Sequence, residues 1–169
     1  MNKGELIFTA VAVAVASLVA GGADAQQQAG QKLSAEAARG KYLVQIAGCN
    51  DCHTPDYVNS AGKVDERLWL TGDQLGWRGP WGTTYSANLR LAVKDMTAEQ
   101  FVKYARSEFR PPMPWFNVRD MNDSDVRAIH AYLKHLGPAG QPAPAYLPPG
   151  QKPRSPYVQF PSPPAQAGD

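Results

Sequence analysis

Cysteine is scarce: the 169 residues hold two, Cys49 and Cys52, and histidine is nearly as rare, with three. Without a second cysteine pair, a zinc site could at most be half built from thiolates, which weakens that reading. Clustered positive charge is missing as well. Lys32, Lys41, Lys63, Lys94, Lys103, Lys134 and Lys152 are spread thinly, the formal net charge is only +2, and nothing calls for nucleic acid as a partner. Long apolar runs are absent except for Leu6 to Ala20, shorter than the roughly 20 residues of a membrane-spanning helix. No catalytic residue is named from the sequence. Glycine and proline, by contrast, are plentiful at fifteen each, more than a compact helical domain needs, so part of the chain must be loop or extended.

The two cysteines stand in Cys49-Asn50-Asp51-Cys52-His53. Two thiols at this spacing can each add to a vinyl group of a porphyrin, while the adjacent imidazole reaches the iron from one face. A covalent haem c is therefore the chemistry this motif implies, with Cys49 and Cys52 as attachment points and His53 as a ligand. A dithiol redox pair is the plainer alternative, and it leaves the adjacent histidine without a purpose.

Lys3, the apolar run and then Ala23-Asp24-Ala25 have the order of a secretory signal, predicting cleavage after Ala25 and a periplasmic location. Outside the cytoplasm two thiols would oxidise unless capped, and two thioethers would cap them. Residues 26–33 read as a polar leader, 34–138 as one domain and 139–169 as a proline-rich extended tail. No transmembrane segment is expected in the mature chain.

Ser34 is placed to cap a helix from about Ala35 to Ala47, whose Ala38, Tyr42 and Ile46, with Leu43 beside them, predict a core-facing stripe. Gly40 inside it costs about 1 kcal/mol relative to alanine, which makes sense if another helix crosses closely there. Thr97 and Gln100 form a capping box, flanked by Met96 and Phe101 as a hydrophobic staple, so a second helix starts at Thr97 and ends a little after Phe109, before Pro111-Pro112. Phe101, Tyr104 and Ala105 are its predicted inner stripe. Asn122 is the expected cap of a third, with Val126, Ile129 and Leu133 inward and Gly137-Pro138 as its stop. His130 and His135 lie on this amphipathic helix and read as partner-bonded or solvated side chains, not ligands.

The stretches Arg39 to Val44 and Gly48 to Pro55, together with Met113-Pro114-Trp115, resemble class I mono-haem c-type cytochromes, and Gly79 to Leu89 is similar to a segment of periplasmic cytochromes c associated with dehydrogenases. The resemblance implies a mainly α fold, three to four helices around a covalently bound haem, with the last helix crossing the first near Gly40 through Tyr132 and Leu133. It also implies Met113 as the second iron ligand. The residues agree: Met96 and Met121 each have a staple to form, whereas Met113 sits in a proline-stiffened loop that can aim a thioether.

From Asp56 to Asp95 glycines alternate with Trp69, Trp77, Trp81 and Tyr85, which predicts a long ordered loop wrapping one side of the haem. Trp81, Tyr85, Asn88 and Arg90 are the candidate donors to its carboxylates. In the tail, Tyr146, Tyr157 and Phe160 suggest either a surface strap or a docking arm. The function that follows is periplasmic one-electron transfer, with a dehydrogenase as donor and an oxidase or another cytochrome as acceptor. A permanent cytochrome subunit of a multi-subunit dehydrogenase, and a gas-binding or peroxidase-like protein with an open iron position, are the alternatives.

Overall fold

The computed structural model describes residues 32–161, so the predicted signal peptide, nearly all of the leader and the last residues of the tail lie outside the described residues. The chain divides into residues 1–32 and 33–169, and every element below belongs to the second. The described residues form α1 (Ala35–Ile46), α2 (Cys49–His53), a 3-10 turn (Glu66–Leu68), β1 (Gly76–Gly79), β2 (Gly82–Tyr85), α3 (Leu89–Ala92), α4 (Ala98–Ala105), α5 (Trp115–Arg119), α6 (Asp123–Leu136) and β3 (Tyr157–Gln159). None of these helices is long and apolar enough to cross a membrane.

Ser34 caps α1, its Oγ accepting from the Ala37 N–H at 3.1 Å. The helix buries Ala37, Gly40, Leu43 and Val44, not the predicted stripe: Tyr42 is 52% exposed and Ile46 61%. The cause is Gly40. A Cβ there would lie 1.9 Å from the Ala128 carbonyl oxygen and 2.9 Å from Tyr132 Cβ, so α1 meets α6 backbone to backbone along the Gly40 line. The spacing-of-four stripe one position round is thereby turned outward. Between these helices Leu43, Val44, Val126, Ile129, Tyr132 and Leu133 make the core, joined by Phe101 and Ala105 of α4.

The capping box at Thr97 forms as predicted, with Gln100 N–H donating to Thr97 Oγ1 at 3.2 Å and Thr97 N–H to Gln100 Oε1 at 2.7 Å. The helix then ends at Ala105, earlier than predicted, and leaves Tyr104 at the surface. Arg106 leaves the helix axis to donate to the carbonyls of Val118, Arg119 and Met121, capping the otherwise unpredicted α5. Asn122 occupies the N-cap position of α6 without a side-chain bond, and Gly137 at φ +66° ends that helix.

The middle segment holds an antiparallel hairpin that hydrophobic alternation did not reveal. Trp77 faces Thr84 and Arg78 faces Thr83, with Pro80 and Trp81 between the strands. Strands of four residues containing Gly76, Gly79 and Gly82 are too short and too glycine-rich to display a period of two. The tail returns to this hairpin: β3 runs parallel to β1 with Val158 opposite Trp77, and Leu147 exchanges two backbone bonds with Thr83 at 2.8 and 3.0 Å. Over its described part the tail is a surface strap. The aromatics that suggested a docking arm have partners within the molecule: Tyr146 OH donates to the Trp81 carbonyl, Tyr157 lies under Arg78, and Phe160 packs on Trp77 and Trp81.

Candidate functional site

Gly48, at φ +68°, turns the chain out of α1 and directly into α2, which left-handed conformation a side chain would resist. That short helix carries Cys49, Cys52 and His53 together. Both thiols are free. Burial pushes the Cys49 thiol up to about 11, and burial with the nearby Asp51 carboxylate raises Cys52 as well. A redox-active dithiol requires the opposite, a lowered value that exposes thiolate at neutral pH. Among the described residues no three His, Cys, Asp or Glu side chains gather into a metal-holding group.

His53 is buried, and burial holds its imidazole below the ordinary histidine value even though its bond to a carbonyl pulls the other way. That bond joins Nδ1 to the Ala87 oxygen at 2.7 Å. It makes Nδ1 the donor and leaves Nε2, without a protein partner among the described residues, as the neutral lone pair that a metal requires. The sequence could not single out this carbonyl, since every residue has one and Ala87 lies 34 positions away. Its placement comes from backbone bonds that tie 70–73 to His53 and to 86–89: Gly72 N–H donates to His53 O, Asp73 N–H to Ser86 O and Leu89 N–H to Leu70 O. A Cβ on Gly72 would sit 2.7 Å from Asn88 N, so only glycine permits the approach.

Asn88 and Arg90, expected to serve haem carboxylates, have other partners. Asn88 Oδ1 caps α3 at Leu91 N–H, and its Nδ2 donates to the Ala139 and Gln141 carbonyls at 2.7 and 3.2 Å. Arg90 donates to the carbonyls of Gly137, Arg67 and Leu136 at 2.5, 2.7 and 2.5 Å. Arg90 ties the C-terminal end of α6 to the 3-10 turn, and Asn88 ties the start of the tail to α3. Trp81 Nε1 donates to the Trp77 carbonyl at 3.3 Å, and the Tyr85 hydroxyl receives Ser155 Oγ at 3.3 Å.

Trp77 Nε1, Asn50 Nδ2 and Thr83 Oγ1 are buried without a hydrogen-bond partner among the described residues. A buried donor left unpaired costs about 1–3 kcal/mol, and a carboxylate-bearing cofactor is one group that would relieve it. With an attachment pair, a neutral imidazole of fixed tautomer and unpaired buried donors, the residues fit a haem c.

Met113 lies in the loop between α4 and α5, half-buried. Met96 and Met121 pack against the core, as their staple positions predicted, and Met113 does not. His130 is a core histidine, its Nε2 bonded to the Met96 carbonyl at 3.0 Å.

Residues 37–137 match the family model described as Cytochrome c. The chain is 34% identical over 114 residues to a diheme cytochrome c-type protein of Cereibacter sphaeroides, covering 62% of this chain and 36% of that protein. It is 27% identical to the cytochrome c subunit of a quinone alcohol dehydrogenase of Gluconobacter oxydans, covering 57% and 20%. With the fructose dehydrogenase cytochrome subunit of Gluconobacter japonicus the identity is 29%, covering 63% and 22%. The match thus spans little more than a third of the longest-covered of these relatives. No solved structure gives a significant match.

Proposed function

The chain belongs to the cytochrome c family, and on that premise we propose that it is an exported one-electron carrier whose single haem is joined through Cys49 and Cys52 and ligated by His53 and Met113. The observation that carries this reading is the bond from His53 Nδ1 to the Ala87 carbonyl, on the same short helix as both thiols. Haem iron, when bound, supplies the reversible one-electron step.

What the chain's own residues do is hold and insulate. Cys49 and Cys52 anchor from one helix, Ala87 fixes the tautomer and angle of His53, and burial keeps that imidazole neutral. Met113 contributes a soft thioether, which favours the reduced state and a relatively positive potential. For the haem carboxylates, the unpaired Trp77 N–H and the Tyr85 hydroxyl are the available donors, in place of Trp81, Asn88 and Arg90, whose donors already have protein partners. Electrons would come from a periplasmic dehydrogenase and leave toward an oxidase or another cytochrome.

The relatives named as dehydrogenase cytochrome subunits support that donor, and they equally favour permanent residence in such a complex. Co-purification with a larger catalytic chain would distinguish the subunit from the free carrier. The carrier reading is tested on protein made in a periplasm with haem-maturation machinery. Its pigment should survive acid-organic extraction and its oxidised spectrum should show the weak red sulfur-to-iron band. Met113→Ala should retain the pigment, lose that band and bind carbon monoxide rapidly when reduced; pigment lost to extraction would overturn the assignment.

A further inference from the structure

The loop that presents Met113 is gripped from both sides. Downstream, Arg106 holds the carbonyls of Val118, Arg119 and Met121. Upstream, Thr84 Oγ1 on the hairpin donates to the Pro111 carbonyl at 2.6 Å, two residues before Met113. Next to it, the Arg110 guanidinium lies 4.1 Å above the ring of Tyr146, a residue of the tail. Met113 N–H closes a turn onto the Arg110 carbonyl at 3.3 Å, so whatever fixes Arg110 fixes the start of that turn.

Tyr146 is itself anchored. Its hydroxyl donates to the Trp81 carbonyl at 2.7 Å, and the neighbouring Leu147 is bonded twice to Thr83. A Cβ on Gly82 would meet the Leu147 oxygen at 2.2 Å and the Tyr146 ring at 3.0 Å, so the strap lies directly on the hairpin backbone. Tail, hairpin and loop are one laced unit.

We propose that Tyr146 and Thr84 are positioning residues for Met113: the proline-rich tail is an intramolecular brace that holds the loop from which Met113 would ligate the haem iron. This rests on the assignment of Met113 as a ligand. A brace of this kind acts on the fraction of molecules whose loop is open, because an external ligand must wait for Met113 to leave, and its apparent affinity scales with that fraction. Losing one anchoring hydrogen bond and one cation-π contact should raise the open fraction by about tenfold.

The test is imidazole binding to the oxidised, full-length holoprotein, followed by loss of the sulfur-to-iron band. Tyr146→Ala should bind imidazole about tenfold more tightly than the native protein, and Thr84→Val and Tyr146→Phe, each losing one hydrogen bond, less markedly but still measurably, at equal covalent haem content. Thr84→Val and Tyr146→Phe change few atoms and carry the test should Tyr146→Ala fail to accumulate. A native protein that shows the band, with all folded variants binding imidazole no better, would overturn the brace alone. A native protein without the band, spectrally unchanged by Met113→Ala, overturns the ligand assignment and the brace with it.

Discussion

Arg90 carries a charge into a position only 6% exposed and meets three carbonyls there instead of a carboxylate. Its five N–H donors in a planar fork suit several carbonyls at once, which a lysine ammonium on a flexible stem does not. Two of those carbonyls, Leu136 and Gly137, belong to the end of α6, where the helix has no donors of its own. Arg90→Ala should therefore lower stability by about 2–4 kcal/mol, with Arg90→Lys recovering little, and both should leave the haem midpoint potential nearly unchanged. Urea unfolding and a redox titration on the same preparations check the two halves. A large shift in potential with unaltered stability would restore Arg90 to the haem carboxylates.

Among elements, the crossing of α1 over α6 decides most. Gly40→Ala gains about 1 kcal/mol of helix propensity, but the added methyl meets a backbone oxygen that has no rotamer to yield. The steric cost wins, and a net loss of about 1–3 kcal/mol is expected in urea unfolding. Ile46→Ala, on the outward face, should cost less than about 0.5 kcal/mol. The same crossing is tied to the 3-10 turn by Glu66, which accepts from Lys41 Nζ at 2.5 Å and from the buried Tyr132 hydroxyl at 2.8 Å. Burial raises the Glu66 carboxyl, and these two donors with the Lys41 charge outweigh it, leaving the group below its ordinary value. A carboxylate depressed on folding stabilises the protein above its unfolded value and loses that contribution as pH falls through its folded value. Glu66→Gln should thus flatten the acid limb of stability against pH, measured by urea midpoints between about pH 3 and pH 7. An unchanged slope would show that Glu66 is not part of that limb.

For the whole molecule, the described part of the tail, residues 138–161, belongs to the fold. Ala139 and Gln141 receive Asn88, Leu147 pairs with Thr83, and β3 adds to β1. Deleting residues 139–169 should cost more than about 2 kcal/mol in urea unfolding, because the Asn88 amide and the outer edge of β1 lose their partners. An unaltered midpoint would return the tail to the role of a loose appendage. The sequence by itself determined what rests on local chemistry: the Cys49-to-His53 motif, the caps at Ser34 and Thr97, the staples that set Met96 and Met121 apart from Met113, and the demand of Gly40 for a close neighbour. Each is written within a few residues of its own effect. Which face of α1 turned inward, which carbonyl oriented His53, what Asn88 and Arg90 held, and where the tail lay were decided only in the tertiary structure. Those outcomes depend on backbone groups common to every residue and on partners far along the chain, 34 positions away for His53 and Ala87 and 47 for Arg90 and Gly137, which no local pattern encodes.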